Sequence, residues 1–521
     1  MTESKRPKRF LKALLAAGLS LIVILAGCGG SNGGAGGTGG GGDAPQAGGG
    51  SSDSPGGTAE PPYEIVIAWF YFGAEQRDTD LIAEEVSKIT REKINATVKF
   101  MPLSIGAYTQ QMNLVLSGNE KLDLLVVMSD NRAAFINRGQ LLELDDLLDR
   151  HGQAIKEAVG DFLEAARVGG KTYVVPTIRD FAASYGFNMR KDLVEKHGID
   201  VSSIKTFEDV GNVLRLIKQA EPDVYPLVGM LPNTGIFGFG HFMDDPLGDE
   251  LGVLPGYDNE FQVVNRFEQD YYAEHLNLLH QWYKEGLIQP DIATYQGSRN
   301  ELFYANKAFG WFNHLKPGYE IQASLEMGTD IVTVELTEPV ATTATVLTIN
   351  WGIPRNSQNP EKAMQMLNLM YSDPDIMNLL AWGIEGKHYV FNDDGTIRFP
   401  DGVDPDGHGY NYQLSWMWGN QFLTHVWQGN PPDIWEQTKA FNERAIKSAA
   451  LGFNFDTTTV QTEFAAVTNV LEQFRVGLET GTLDPAKTLP DFINRLKAAG
   501  IEKIIQEKQR QLDEWRAANG K

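Results

Sequence analysis

In the stretch YEIVIAWFYF, residues 63–72, residues 63–70 have the pattern of a strand, and four consecutive aromatic side chains, residues 69–72, lie at its carboxyl end. A helical pattern follows at 78–91, then an alternating strand pattern at 96–101, a second helical pattern at 108–116 and the apolar run LDLLVVM at 122–128. Near-continuous apolar runs are typical of strands buried on both faces. This order of elements predicts a parallel sheet with right-handed crossovers, and therefore an α/β fold with doubly wound sheets.

The predicted folded part, residues 63–521, is too long for a single hydrophobic core, so we expect two domains. Further strand patterns occur at 171–178, 308–312 and 345–353. Amphipathic patterns at 489–499 and 501–515 predict a helical C-terminal extension.

The N-terminus has the pattern of an export signal. A basic start and an apolar run to Ala26 predict a signal peptide over residues 1–27. The only cysteine, Cys28, lies in the motif LAGC, which resembles the lipobox of bacterial lipoproteins. That resemblance implies cleavage before Cys28 and its acylation, including palmitate; the alternative is an ordinary signal with an unrelated cysteine. Residues 28–60 then form a Gly-rich flexible tether, and the protein is expected on the extracellular face of a Gram-positive cell membrane.

The composition limits the classes of function. A formal net charge of −23 argues against nucleic acid as a partner. The nine His residues show no zinc-type spacing, and we find no nucleotide-binding fingerprint, so we expect no cofactor and no metal. Acidic residues at 391–410, among them Asp404 and Asp406, raise the alternative of calcium, but Asn392–Gly395 fits a hairpin turn better.

Four segments carry a family resemblance, namely 353–370 (IPRNSQNPEKAMQMLNLM), 382–390 (WGIEGKHYV), 453–470 (FNFDTTTVQTEFAAVTNV) and 481–515. They resemble bacterial extracellular solute-binding proteins of family 1, the sugar-binding lipoproteins of ABC transporters. Segments 382–390, 453–470 and 481–515 are similar to a Paenibacillus-like subfamily with an uncharacterised conserved C-terminal domain.

The resemblance implies a monomeric, two-lobed fold of the periplasmic-binding-protein type (type II), with a ligand cleft between the lobes and ABC transporter permease subunits as partners. Lobe 1 is expected over 63–180 plus about 345–400, and lobe 2 over about 181–344 plus part of 401–521. The chain would cross between the lobes near 176–185 and 340–350, with a third crossing near 400 left open. The family-specific region is expected over about 400–521.

A sugar presents apolar C–H faces and a rim of hydroxyls, so its site needs aromatic rings with polar side chains at their edges. Ligands of doubly wound sheets bind beyond the carboxyl ends of strands. We therefore predict ligand contacts from aromatic and polar residues at predicted strand ends, crossing strands and Gly-bounded loops: Trp69, Tyr71, Asp130, Arg179, Tyr185, Trp311, Trp351, Trp382, Glu385, Trp416, Trp418 and Asn420. For any one of these Trp residues, core packing is the competing interpretation.

The expected function is capture of an oligosaccharide for import. Two alternatives stay open at this point. One is a receptor for a peptide or another solute. The other is a surface glycoside hydrolase, which would need two carboxylates about 5–10 Å apart. The family resemblance favours a receptor and not an enzyme.

Overall fold

The fold is built on two separate β-sheets, seen in a computed structural model of the chain. The structure describes residues 60–72, 76–229, 234–403, 408–410 and 414–521, without the side chains of Asp130 and His241. The described strands, in chain order, are β1 (Tyr63–Tyr71), β2 (Ala96–Ser104), β3 (Leu124–Met128), β4 (Arg167–Val168), β5 (Lys171–Thr172), β6 (Val174–Pro176), β7 (Ser184–Arg190), β8 (Tyr225–Leu227), β9 (Asp244–Asp245), β10 (Leu254–Pro255), β11 (Ala308–Leu315), β12 (Ile331–Glu335), β13 (Val340–Ala341), β14 (Ile349–Gly352), β15 (Val390–Phe391), β16 (Ile397–Arg398) and β17 (Ile446–Lys447).

The described α-helices, in chain order, are α1 (Thr79–Ile94), α2 (Ile105–Ser117), α3 (Ser129–Asn137), α4 (Asp145–His151), α5 (Gln153–Val159), α6 (Lys191–Lys196), α7 (Phe207–Ala220), α8 (Asp270–Lys284), α9 (Arg299–Tyr304), α10 (Tyr319–Met327), α11 (Thr343–Val346), α12 (Pro360–Leu369), α13 (Pro374–Trp382), α14 (Ile434–Glu443), α15 (Gln461–Glu479), α16 (Pro485–Ala499) and α17 (Ile501–Ala518). Within the described ranges, no helix has both the length and the apolar character needed to cross a membrane.

The first sheet has the strand order β2-β1-β3-β14-β6. Strand β1 is parallel to β2, with Tyr63 opposite Ala96, and parallel to β3, with Ile67 opposite Leu124. This confirms the parallel unit predicted from the N-terminal pattern. Strand β14 is antiparallel to both β3 and β6. We call this sheet and its core the first lobe.

The second sheet has the order β12-β7-β11-β8. Strand β7 is antiparallel to β11 and β12, while β11 is parallel to β8. A core rich in aromatic residues packs against this sheet, and we call the sheet and that core the second lobe. The two-lobed α/β fold expected from the family resemblance is thereby confirmed.

Two chain segments connect the sheets. Residues 177–183 lead from β6 to β7, and residues 336–348 lead from β12 back to β14. Two backbone hydrogen bonds join these segments. The N–H of Ala183 donates to the carbonyl oxygen of Val340 (3.1 Å), and the N–H of Val340 donates to the carbonyl oxygen of Ala183 (2.9 Å). Strand β17 pairs with β13 in the second segment. Residues 60–521 thus form one compact unit with adjacent connections between its lobes.

The C-terminal helices pack on the second lobe. Phe492 of α16 contacts Phe267 at 5.1 Å between ring centroids and Phe474 of α15 at 5.5 Å. Helix α16 ends at Gly500, whose φ of +100° lies in the left-handed region that favours glycine. Both predicted C-terminal helices are therefore present, and α16 begins four residues earlier than predicted because Asp484 caps it and Pro485 occupies its first turn.

Candidate ligand-binding site

A cavity of about 350 Å³ lies between elements of the two lobes. Helix α10, whose inner residues Ala323 and Met327 pack in a core with Trp311, forms one side. The other side comes from the segment 415–438, where Trp416 packs against the core of the first lobe. Its polar and aromatic lining includes Asp180, Lys316, Trp382, Trp416, Gln421, Trp427, Asn430 and Trp435. The cavity therefore lies at the junction of the lobes, and interfaces between domains are frequent places for small-molecule sites.

Four of the ten Trp residues of the chain line this cavity, and all four are half-buried. The indole N–H of Trp382 donates to the carbonyl oxygen of His425 (3.1 Å), and that of Trp435 donates to Thr424 (2.7 Å). Trp427 packs beside Trp382 with ring centroids 5.4 Å apart. Because these bonds hold the ring edges of Trp382 and Trp435 to the backbone, those two indoles are fixed in orientation while part of their surface stays exposed.

Charged and polar groups lie at the edge of the aromatic wall. Asp180 pairs with Arg179 (2.8 Å) and with Lys316 (3.4 Å), which follows β11 of the second lobe. Burial alone would raise the pKa of the Asp180 carboxyl, but Lys316 and Arg179 hold it below its ordinary value. Gln421 donates to the hydroxyl of Ser415 (2.8 Å). The cavity thus combines apolar rings with ionised and amide groups that can bond to hydroxyls.

Trp69, Trp351 and Trp418, three of the predicted contacts, lie together in the core of the first lobe. Trp351 stacks on Trp418 with centroids 5.4 Å apart, and Trp418 contacts Trp69 at 5.3 Å. Their exposed fractions are 0, 1 and 0% for Trp351, Trp418 and Trp69. The indole N–H of Trp351 donates to the carbonyl oxygen of Met417 (2.9 Å). In this structure they form core packing, and none of them presents a ring face to a ligand.

Trp311, Tyr185 and Asn420 are also buried. The guanidinium of Arg299 lies 4.5 Å from the ring centre of Trp311. The Tyr185 hydroxyl donates to Ile236 (3.2 Å) and accepts from Gly238 (3.0 Å), and burial raises its pKa. Asn420 caps the turn at Gln421–Leu423 by accepting from the N–H of Phe422 (3.1 Å). Each of these side chains has a structural role in the described lobes.

The other predicted residues are distributed around the lobe junction. Trp382 and Trp416 line the cavity, and Arg179 reaches it through its pair with Asp180. Tyr71 is half-buried at the end of β1, and Glu385 is exposed. Asp130 is the second residue of α3, but its side chain lies outside the described part of the chain. Cys28, Asp404 and Asp406 also lie outside the described residues. The Asn392–Gly395 turn does join β15 to β16 as an antiparallel hairpin, and no group of three metal-ligating side chains occurs in the described residues.

Most of the cavity residues named above are absent from the sequence prediction, which includes only Trp382 and Trp416 among them. Three of the missed residues are Trp427, Trp435 and Lys316. Trp435 follows Pro431-Pro432-Asp433, a helix-start signal that could have placed it at an element boundary. Lys316 directly follows β11, so extending the predicted strand 308–312 to its true end would have found it.

Two α/β lobes joined by adjacent connections, with an aromatic cavity at their junction, define the class of two-lobed solute-binding proteins. The chain belongs to the bacterial extracellular solute-binding protein family, whose sequence profile matches residues 33–376. Residues 449–517 match a conserved domain of unknown function. These matches confirm the family resemblance and the presence of a distinct C-terminal domain.

A carbohydrate ABC transporter substrate-binding protein of Streptococcus pneumoniae serotype 4 is 29% identical over 460 residues, covering 86% of this chain and 91% of that protein. The crystal structure of the N-glycan transport solute-binding protein NgtS of S. pneumoniae is 29% identical, with a TM-score of 0.75 over 87% of this chain and 98% of that one. Its complex with Man5GlcNAc has a TM-score of 0.61. These relatives are substrate-binding proteins and not enzymes. The alginate-binding protein AlgQ2, at 18% identity and a TM-score of 0.56, shares the fold.

Proposed function

We propose that this protein is the substrate-binding component of an ABC importer and binds an oligosaccharide in the Trp-lined cavity between its lobes. The observation that carries the proposal is the convergence of Trp382, Trp416, Trp427 and Trp435 on one cavity. Its volume of about 350 Å³ falls in the ~300–1,000 Å³ range of small-molecule sites.

The chemistry of the cavity suits a sugar ring. The partly exposed indole faces can stack on the apolar C–H faces of a pyranose, where aromatic burial provides most of the binding energy. Asp180 and Lys316 offer a charged acceptor and a charged donor for ring hydroxyls, and such bonds are stronger than neutral ones. A peptide receptor would instead need unpaired backbone edges, and no observation in the described lobes favours one.

The relatives support a glycan over other solutes. NgtS has been solved with Man1GlcNAc and with Man5GlcNAc. On this basis we propose a ligand that contains mannose and N-acetylglucosamine, long enough to extend beyond the cavity.

We also propose that the receptor is a lipoprotein, anchored through Cys28 outside the cell and tethered by residues 29–59. Two acyl chains on one cysteine give stable membrane attachment without a spanning helix. The tether would let the lobes close over a sugar and deliver it to a membrane permease, as hinge closure does in this class of protein.

The test is calorimetric titration of the chain from Gly29 to Lys521 with Man1GlcNAc, Man5GlcNAc and a set of tri- to pentapeptides. We expect saturable binding of the glycans, a rise in melting temperature by mass action, and intact glycan after prolonged incubation. Binding of peptides without binding of any glycan would overturn the proposal. Cleavage of the glycan would overturn the receptor function itself.

A further inference from the structure

Asp180 lies in the middle of the connection 177–183, and hydrogen bonds fix the backbone near both ends of that connection. On the β6 side, the N–H of Ile178 donates to the carbonyl oxygen of Gly419 (2.7 Å). On the β7 side, Ala183 is bonded to the second connection, as described above. The peptide groups next to Asp180 lie between these two anchors, and buried peptide groups need partners of their own.

One side chain, that of Asn442 in α14, supplies those partners. Its Nδ2 donates to the carbonyl oxygen of Arg179 (2.7 Å). Its Oδ1 accepts from the N–H of Phe181 (2.9 Å) and, at 3.4 Å, from the N–H of Ala182. The amide of Asn442 therefore bridges the peptide groups immediately before and after Asp180.

Helix packing alone does not account for an asparagine at position 442. Asn442 is 5% exposed and lies one residue before the end of α14, next to Phe441, which packs in the core of the first lobe. Asn is a weaker helix former than Ala or Leu, and a buried amide costs free energy unless it is hydrogen-bonded. The three backbone bonds offset that cost, so the connection that Asn442 binds explains its presence.

The same helix also carries part of the cavity wall. Trp435, the second residue of α14, lines the cavity. Just beyond the other end of the helix, Arg444 pairs with Glu335 of the second lobe (2.9 Å). Helix α14 thus sets the position of Trp435 directly and that of Asp180 through Asn442, and both of these residues line the cavity.

We propose that Asn442 is the positioning residue for Asp180 in glycan binding. By bridging the two peptide groups that flank Asp180, it holds the carboxylate at the edge of the Trp-lined cavity, where the carboxylate accepts bonds from sugar hydroxyls. A binding group must be held within about 0.5 Å of its productive position, and Asn442 supplies this constraint from a buried position. The inference rests on the function proposed above, because it assumes that the cavity binds a glycan.

A double-mutant cycle on glycan affinity tests this role. Calorimetric titrations with Man5GlcNAc at pH 7 compare the chain from Gly29 to Lys521 with its Asp180→Asn, Asn442→Ala and doubly substituted variants. We expect each single substitution to weaken binding at least about tenfold, the effect of losing or misplacing one charge-assisted bond. The double variant should bind no more weakly than Asp180→Asn alone, because Asn442 acts through Asp180.

The matched control is Asn368→Ala. Oδ1 of Asn368, in α12, likewise accepts from two successive N–H groups, those of Ala154 (2.9 Å) and Ile155 (3.2 Å). This substitution should lower the melting temperature and leave the affinity for Man5GlcNAc unchanged. An equal loss of affinity in Asn368→Ala would contradict the proposal, because the effect of Asn442→Ala would then be one of general stability.

Hydrogen exchange of the wild-type chain keeps the test decisive if Asn442→Ala does not fold. If opening of the Asn442 bonds misplaces Asp180, a bound glycan must disfavour that opening by linkage. Saturation with Man5GlcNAc should therefore slow amide exchange at Phe181 at least about tenfold, and by more than at Ala154 and Ile155.

Three results would overturn the proposal: wild-type affinity in a folded Asn442→Ala chain, an effect of Asn442→Ala that adds to that of Asp180→Asn, or no added protection of Phe181. Wild-type affinity in Asp180→Asn, together with loss of binding in Trp427→Ala, would also overturn it and leave the glycan function intact. Absence of Man5GlcNAc binding by the wild type would overturn the proposed function, and this inference with it.

Discussion

At the scale of single residues, Asp180 is the carboxylate that two cations hold at the edge of the aromatic cavity. Its oxygens pair with Arg179 and Lys316 at 2.8 and 3.4 Å. The Lys316 pair joins a residue after β6 to a residue after β11, and therefore couples the two lobes at the point where they meet.

Asp180→Asn should destabilise the protein in a pH-dependent way. Burial opposes ionisation of Asp180, but Lys316 and Arg179 lower its pKa below the ordinary value. Ionised Asp180 therefore contributes stability that is present above the unfolded-state pKa of ~3.9 and is lost as the pH falls through the lower folded value. We expect a lower melting temperature for the variant at pH 7 and a smaller deficit at a pH well below the unfolded-state value of ~3.9. An equal deficit at both pH values would contradict this account, and the exposed Asp393→Asn serves as the control.

The buried Trp cluster shows what sequence could not reveal at this scale. Trp416 and Trp418 are two residues apart, and both were predicted as ligand contacts. The turn at Ser415–Met417 directs Trp416 toward the cavity, while Trp418 stacks between Trp351 and Trp69. The different burial of Trp416 and Trp418 arises from contacts with strands more than 60 residues away in the sequence. The local sequence pattern therefore cannot predict it.

At the scale of elements, the sequence patterns predicted most strands of the first sheet. They failed where a helix cap competes with the strand propensity of the same residues. The prediction for 63–70 differs from β1 by one residue. The prediction of a single strand over 345–353 was wrong, because Thr342 and Thr345 form a reciprocal capping box that starts α11, and β14 begins only at Ile349. Likewise 171–178 divides into β5 and β6. β-branched residues favour strands, but a satisfied cap at the preceding threonine overrides that preference.

Gly500 separates α16 from α17, and its replacement tests the packing of that corner. At φ +100° a Cβ would be strained and would also approach Cγ of Glu463 to 2.7 Å. We expect Gly500→Ala to lower the free energy of unfolding by more than the ~1–2 kcal/mol of left-handed strain alone. Gly139→Ala is the matched control, because its φ is +61° and a Cβ there has nothing within 4 Å. Equal losses in urea denaturation of the two variants would show that the contact with Glu463 has no effect.

A buried ion cluster joins the C-terminal helix α15 to the second lobe. Arg266 is 1% exposed and binds both oxygens of Asp244, at 2.8 and 2.5 Å. It also pairs with Glu250 (3.2 Å), which in turn binds Arg475 of α15 (2.7 Å). The cluster therefore links β9 to the domain of unknown function, with Arg266 and Asp244 buried and with Glu250 and Arg475 partly exposed.

Arg266→Ala should lower the free energy of unfolding by ~3–5 kcal/mol, because it leaves the Asp244 carboxylate buried without its partner. Arg495→Ala breaks an exposed pair with Asp491 (3.0 Å) in α16 and should cost less than ~0.5 kcal/mol. Chemical denaturation measures both. Similar losses of unfolding free energy in the two variants would mean that the buried Arg266 pair stabilises the protein no more than an exposed pair does.

At the scale of the whole molecule, the protein is a two-lobed solute-binding protein whose C-terminal domain is part of the folded unit. The family and the α/β class followed from sequence motifs, and both were confirmed. The cavity is formed by α10 from the second lobe and by the 415–438 segment that packs on the first lobe. The predicted contacts include Trp416 of that segment but no residue of α10. Such an assembly depends on how the lobes meet, which no single segment encodes.

Cys28→Ser tests the proposed anchor. The wild type, expressed in a Gram-positive host, should sediment with the membrane and incorporate labelled palmitate. The variant should lose the label, because the chain has no other cysteine to acylate. Ser31→Ala, in the same segment, is the control. Incorporation of labelled palmitate into the variant would contradict acylation at Cys28.

The central claim is that the indoles at the lobe junction bind the glycan. Its most direct test is calorimetric titration of Trp427→Ala with Man5GlcNAc, beside Trp515→Ala, which removes an indole from α17 that packs on Phe453 instead. Loss of a central aromatic contact costs ~2 kcal/mol or more, so Trp427→Ala should weaken binding by about 30-fold or more, while Trp515→Ala should bind like the wild type. Wild-type affinity in Trp427→Ala would contradict the account.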